Sequence, residues 1–219
     1  MLARSANPRA TAQYQGTIVI RATVIDYKAG NLTSVVKALR HLGADVTVTE
    51  RPADIAAAER IVLPGVGHFS ATRFLDERRL RSDIQSDLDR GIPFLGICVG
   101  LQWLFAGSTE APGCAGLAAF PEKCDRFAPG KKVPHVGWNS LDLRPGSRLF
   151  AGISSGAFAY FTHSYCAPVM EATVAVTDYG QAFSAAVERD NVMGVQFHPE
   201  KSGETGLRVL RNFLEWHPC

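Results

Sequence analysis

A chain of 219 residues that is 46% hydrophobic and 20% charged is long enough to bury one substantial α/β core. Its net charge of +2, with no Lys/Arg block and Lys131-Lys132 the longest run of lysine, argues against nucleic acid or another polyanion as partner. Apolar runs fall far short of the ~20 residues a membrane helix needs, and the five cysteines (Cys98, Cys114, Cys124, Cys166, Cys219) are an odd set with no C-x-x-C, so no disulfide framework, no metal site and a reducing cytoplasm are expected.

Residues 1–17 carry Arg4 and Arg9, no acid and no apolar core, which excludes a secretory signal. They read as a disordered extension or an overlong start, with a transit peptide as the weaker reading, ahead of one domain spanning 18–219. Residues 18–26 are apolar and β-branched, predicting a strand that ends in Tyr27-Lys28-Ala29-Gly30-Asn31, with Asn31 as a helix N-cap. Leu32, Val35, Val36, Leu39 and Leu42 then share a helical stripe, and Gly43 stands where a helix end favours a left-handed residue. Residues 46–49 predict a second strand and 60–63 a third, which runs into Pro64-Gly65-Val66-Gly67. A helix is predicted through Phe74, Leu80, Ile84 and Leu88 until Gly91, and residues 93–97 form a buried strand ending at Cys98.

This order of strands and helices implies a doubly wound, largely parallel sheet with helices on both faces. From about Cys114 short strands and turns take over, among them 183–187 and 192–197 joined at Arg189-Asp190-Asn191, so an antiparallel extension is expected. A final amphipathic helix carries Leu207, Leu210, Phe213 and Leu214. There is no internal repeat, low-complexity stretch or linker.

Gly96-Ile97-Cys98-Val99-Gly100 puts a cysteine between an apolar strand and a helical segment (Leu101, Leu104, Phe105) with small residues on both flanks. A sharp strand-to-helix turn presents its central side chain above the sheet, where the helix N–H groups favour thiolate and face a developing oxyanion. A buried structural cysteine is the commoner fate of a free thiol, so the motif alone leaves both readings open. The other four cysteines lack such a setting. In Val195-Gln196-Phe197-His198-Pro199-Glu200, an apolar strand ends in a histidine with a carboxylate two positions on, on the same side if the backbone is extended. Glu200 then orients His198 toward a thiol, the logic of nucleophile, base and orienting acid. Pro64-Gly65-Val66-Gly67 lacks the Lys-Ser/Thr of a nucleotide loop; it reads as a turn, a phosphate site, or amides completing an oxyanion hole beside Cys98.

These residues resemble the class I (triad) glutamine amidotransferases, and the resemblance covers residues 24–216. The elbow Gly96-Ile97-Cys98-Val99-Gly100-Leu101-Gln102 and the ending Gly194-Val195-Gln196-Phe197-His198-Pro199-Glu200 carry it. Within the class the chain is similar to glutaminase subunits of imidazole glycerol phosphate synthases. Asp26-Tyr27 with Gly30-Asn31-Leu32, the Pro64–Gly67 loop, Pro134-His135-Val136-Gly137-Trp138-Asn139, Tyr160-Phe161-Thr162-His163-Ser164-Tyr165 and Lys201 point there. The resemblance implies a flavodoxin-like class I fold and no cofactor. It makes Cys98 the nucleophile on L-glutamine, His198 the proton shuttle and Glu200 its orienting acid. Gly65, Val66, Gly67 and Val99 would supply backbone around the oxyanion and substrate, and Gln102, Ser164 and Tyr165 would line the glutamine pocket. Asn31, Trp138 and Lys201 match positions facing a (β/α)8-barrel cyclase subunit that receives the ammonia as the other half of a heterodimer. Lys28 departs from the glycine usual at its position, and Val99 from the usual leucine. Glutaminases of anthranilate or aminodeoxychorismate type share the triad residues and are separated only by the partner-facing motifs. A non-catalytic binding subunit is disfavoured by an intact triad, and a thiol protease or α/β hydrolase by the two-residue spacing of His198 and Glu200.

Overall fold

The computed structural model describes residues 19–29 and 32–217; the residues read as an extension, 1–17, and Asn31 lie outside them. In chain order the first half holds β1 (Arg21–Ile25), α1 (Leu32–His41), β2 (Asp45–Thr49), α2 (Pro52–Ala56), β3 (Ile61–Gly65), α3 (Arg73–Glu77), α4 (Leu80–Asp89), β4 (Phe94–Cys98) and α5 (Val99–Trp103). The second half holds β5 (Phe105–Ser108), β6 (Phe120–Arg126), β7 (His135–Ser140), β8 (Asp142–Leu143), β9 (Phe158–His163), β10 (Tyr165–Cys166), β11 (Thr173–Asp178), β12 (Ala182–Arg189), β13 (Val192–Val195) and α6 (Gly203–Glu215).

The main sheet runs β2-β1-β3-β4-β13-β12-β11-β8. From β2 to β13 every pairing is parallel, and from β13 to β8 every pairing is antiparallel. β3 and β4 are buried along their whole length, as strands covered on both faces must be. α1 packs with α6, while α4 packs with α2 and α3. The sequence reading of a doubly wound parallel core with an antiparallel flank therefore describes the fold. β12 and β13 pair through Arg189↔Val192, so Asp190 and Asn191 form the turn, with Asp190 at φ 52°. Gly43 caps α1 at φ 89°, in the left-handed region.

Three local expectations are corrected. The helix expected from Phe74 to Leu88 is broken: α3 ends at Glu77, and Arg79 takes a left-handed φ of 60° before α4 starts. The Arg81 guanidinium spans the break, pairing with Asp76 and donating to the Ala115 and Gly116 carbonyls. Leu104 and Phe105 do not continue the helix after Cys98; α5 stops at Trp103, and Phe105 begins β5, whose partner is β6. Third, α2 was not expected at all, a five-residue helix opened by Pro52.

Two small sheets stand beside the main one: β10-β6-β5, and the hairpin β7-β9. The hairpin alternates cleanly. His135, Phe161 and His163 are buried on its inner side, in an aromatic cluster with Phe127, Tyr179 and Phe183. Val136, Trp138 and Phe158 on its outer side are more than half exposed.

Candidate active site

The parallel strands end along one edge, the position where a sheet of this order builds its sites. Gly65 closes β3, Cys98 closes β4 directly opposite it in register, and His198 follows β13 three residues after Val195. Cys98 sits at φ 54° and ψ −106°, a left-handed conformation that a non-glycine residue adopts only when its surroundings impose it. The flanking glycines permit it. A Cβ on Gly100 would lie 1.8 Å from the Leu63 carbonyl oxygen, and one on Gly96 would lie 2.5 Å from the Gly100 oxygen. The turn is thus pressed directly onto β3, and only backbone fits between.

His198 is 1% exposed, and its Nδ1–H donates to Glu200 Oε1 at 2.9 Å, since a carboxylate can only accept. The remaining nitrogen, Nε2, is buried and makes no hydrogen bond of good geometry, although the Cys98 sulfur is close enough to act on it. Burial pulls the imidazole's pKa down, but Cys98 and Glu200 outweigh it and raise the value to about 9. The arrangement favours a protonated imidazole beside the Cys98 sulfur. The carboxylate does not reach the histidine along extended backbone, as the sequence suggested. Pro199–Lys201 is a 3-10 turn, and Ser202 pins it by donating to the His198 carbonyl at 2.6 Å and accepting from the Tyr160 N–H at 2.9 Å. Gly206 of α6 packs so closely on this turn that a Cβ there would lie 1.9 Å from the Pro199 oxygen.

The Pro64–Gly67 loop runs beside the elbow. Gly67 has φ 103°, whereas Gly65 is glycine for lack of room, its missing Cβ lying 1.7 Å from the Tyr27 hydroxyl. The Val66 N–H donates weakly to the Ala29 carbonyl at 3.4 Å, on the β1 side. Lys28 occupies the position usually held by glycine by taking a left-handed φ of 63°, with its N–H on Asp26 and its ammonium paired with Asp26 and Glu50. The Tyr27 hydroxyl is buried without a partner, and burial pushes its pKa well up.

Val99 and Gln102 are buried beside Cys98, and Ser164 and Tyr165 are half-buried where β9 meets β10. Gln102 donates to the Tyr165 carbonyl at 3.0 Å. Of the residues expected at a partner face, Trp138 meets Tyr160 edge-on, and the Lys201 ammonium lies over the same ring. Asn31 falls outside the described residues. Two contributors were missed from the sequence. Ser202 carries no signal there, and Gln196 is marked only by its place beside the His-Pro-Glu motif. A larger cleft lined by Ile153, Glu204, Arg208 and Arg211 lies against α6 and contains none of these groups. Among the described residues no three His, Cys, Asp or Glu side chains are placed to hold a metal, and no helix is long and apolar enough to cross a membrane.

The family model of class I glutamine amidotransferases matches residues 23–216. The imidazole glycerol phosphate synthase subunit HisH of Methanothermobacter thermautotrophicus is 49% identical over 193 residues, covering 88% of this chain and 96% of that protein. The same subunit from Thermococcus kodakarensis is 50% identical, covering 87% and 97%. Among solved structures, a glutamine amidotransferase crystal structure superposes with a TM-score of 0.70 at 19% identity, covering 88% of this chain and 97% of that one. Thermotoga maritima PurLQS matches with a TM-score of 0.69 at 20% identity, covering 90% and 98%. The family match over nearly the whole described chain, together with these full-length relatives, places this chain among the class I glutamine amidotransferases, in the family of imidazole glycerol phosphate synthase subunit HisH.

Proposed function

We propose that Cys98, His198 and Glu200 hydrolyse L-glutamine to glutamate and ammonia, and that the ammonia passes to a (β/α)8-barrel cyclase subunit that forms imidazole glycerol phosphate and AICAR. The observation that carries this is the buried Cys98–His198–Glu200 arrangement at the carboxyl edge of the sheet, with His198 Nδ1 held 2.9 Å from Glu200. The Cys98 thiolate adds to the carboxamide carbon of glutamine. His198 gives the nitrogen a proton, the C–N bond breaks and ammonia leaves behind a thioester. A water, deprotonated by the same imidazole, then adds to the thioester carbonyl; the C–S bond breaks, giving glutamate and the free thiol. Glu200 holds Nδ1, so that Nε2 is the nitrogen available for both transfers.

The oxyanion needs donors, and here the Val66 N–H is turned to the Ala29 carbonyl instead. Rotating that one peptide would break the weak bond to Ala29 and turn a donor toward the substrate. A lost oxyanion donor costs roughly 100- to 1000-fold in rate, enough to hold hydrolysis back until a partner binds. The outer face of the β7-β9 hairpin is a suitable partner surface: Val136, Trp138 and Phe158 are exposed apolar groups, with Tyr160 and Lys201 beside them. Because Tyr160 also bonds through its backbone to His198 and Ser202, that surface is tied directly to the proposed triad.

The test is glutamine hydrolysis by the isolated chain, with and without the barrel subunit and its ligand. Low activity alone and a rise of about 100-fold or more in the complex are expected. Full activity alone, unchanged on adding both, would overturn the coupling.

A further inference from the structure

The chemistry above leaves a second set of buried polar groups around the same sulfur unused. Gln196 is completely buried, and its Nε2 lies 3.6 Å from Cys98 Sγ. Its Oε1 accepts from Gln102 Nε2 at 3.2 Å, and Gln102 Nε2 also donates to the Tyr165 carbonyl at 3.0 Å. A primary amide presents a donor at one end and an acceptor at the other, so its neighbours decide which end faces the sulfur.

Here the neighbours decide it uniquely. The Tyr165 carbonyl can only accept, so Gln102 must turn its NH2 toward it. The other N–H of that group meets Gln196, which must answer with its carbonyl. The NH2 of Gln196 is left facing Cys98. The Tyr165 carbonyl is itself fixed by a second donor, His163 Nδ1–H at 2.9 Å. His163 Nε2 then accepts from His135 Nδ1–H at 3.1 Å, and His135 Nε2 faces the Asn139 amide at 3.4 Å. Burial pushes His163 and His135 down to about 3 and about 4, so both rings are neutral at pH 7 and each bond has one direction.

We infer that Gln196 is a positioning residue for the nucleophile: it delivers an N–H to Cys98 Sγ, and the acceptor-only carbonyl of Tyr165, acting through Gln102, fixes that polarity. The inference rests on Cys98 being the nucleophile. An N–H donor favours thiolate over thiol, and a hydrogen bond to a charged group is among the stronger ones. The opposing contact is the Thr162 carbonyl, which can only accept and so favours the thiol, but it lies farther away at 4.0 Å. The titratable groups that act electrostatically with Cys98 are His198 and the Tyr27 phenol.

The experiment follows alkylation of the full chain by iodoacetamide, read at the Cys98 peptide by mass spectrometry from pH 6 to pH 10. Gln196→Met keeps the volume and removes both ends of the amide. Its Cys98 should react about tenfold more slowly at pH 7 and approach the wild-type rate at high pH, with glutaminase kcat falling by a similar factor and KM nearly unchanged. A folded Gln196→Met protein with a wild-type pH profile overturns the inference. Should Gln196→Met not fold, Gln102→Met decides, because it frees the Gln196 amide to present its carbonyl instead; slowed alkylation supports the assigned polarity and an unchanged profile overturns it. If wild-type Cys98 reacts no faster at pH 7 than the buried Cys114, Cys124 and Cys166, the nucleophile assignment itself fails, and the inference with it.

Discussion

The turn that carries Cys98 and the hairpin that carries Trp138 sit at the same end of the molecule and are built on opposite terms. At the turn, backbone touches backbone: Gly96, Gly100 and Leu63 leave no space for one added methyl group, and a cysteine is held at φ 54°. On the outer face of the hairpin, Val136, Trp138 and Phe158 touch mainly solvent. The first region is fully specified by its own fold. The second is left open to solvent, yet Tyr160 belongs to it and is bonded through its backbone to His198. Chemistry placed on the rigid region and coupling placed on the open one is how an enzyme can carry its reactive groups preformed and still withhold a rate. Substitutions at the two regions should therefore fail in different ways.

The largest effect is expected at the sulfur. Cys98→Ala removes the proposed nucleophile without disturbing the turn, so glutamine-dependent synthesis in the complex should fall by at least about 10^4-fold. Ammonia-dependent synthesis by the partner should remain, since free ammonia bypasses the thioester. Wild-type glutamine-dependent synthesis by this variant would refute the nucleophile. Gly100→Ala should come next, and by another route. Its Cβ would strike the Leu63 carbonyl at 1.8 Å, so β4 and α5 must separate from β3; a loss of about 3 kcal/mol or more in denaturant unfolding is expected, together with loss of activity. A normally stable Gly100→Ala protein would show the turn to be less constrained than its packing implies.

The turn was also the more legible of the two regions. Glycines on both sides of Cys98 and an apolar strand before it are local signals, and they led directly to the strand-end elbow. The parallel core was legible for the same reason: its strands are short apolar runs, and the helices between them stop at Gly43 and Gly91. What escaped depended on distant partners. Arg79 carries no local mark of a helix break; its left-handed turn accompanies contacts that Arg81 makes with residues 115 and 116. Ser202 reads as an ordinary loop serine until the fold brings Tyr160 to it. Gln196 lay inside a recognised motif, but its task becomes visible only once Gln102 and Tyr165 are beside it. The i, i+2 argument for Glu200 reached the right pairing by the wrong backbone, because Pro199 opens a 3-10 turn rather than continuing a strand.

Glu200→Gln should cost less than Cys98→Ala, though up to about 10^4-fold in kcat, because it disturbs the tautomer and orientation of His198 rather than removing a reacting atom. Its pH dependence is a sharper test. Despite burial, which works against the charge, Cys98 and Glu200 raise His198 from about 6.5 to about 9 in the folded chain. A raised value means that the folded state holds its proton more tightly than the unfolded chain. The stabilisation is then complete below about pH 6.5 and disappears as pH rises through about 9. Wild type should therefore exceed Glu200→Gln in melting temperature by the most at pH 6, with the gap closing toward pH 9.5. A gap that widens with pH would mean that the imidazole is neutral in the resting enzyme.

The smallest effect on the chain itself is expected at Trp138. The side chain is 56% exposed and meets Tyr160 only edge-on, so Trp138→Ala leaves no cavity and should change unfolding free energy by no more than about 0.5 kcal/mol. If the outer face docks the barrel, the same substitution removes a large aromatic anchor and should weaken the complex by about 2 kcal/mol, roughly 30-fold in Kd by titration calorimetry. Phe161→Ala is the control on the opposite face of the hairpin. Phe161 is completely buried against His135, Phe183 and Phe197, so its loss should cost about 3–5 kcal/mol of stability. One strand pair would thus separate the two properties, with stability carried by its inner residues and association by its outer ones. If Trp138→Ala instead destabilised the isolated chain as Phe161→Ala does, the hairpin would be part of the core and its exposed face no docking surface. If the chain kept its stability and Kd stayed the same, the partner would bind elsewhere, and the backbone link from Tyr160 to His198 would have no part in activation.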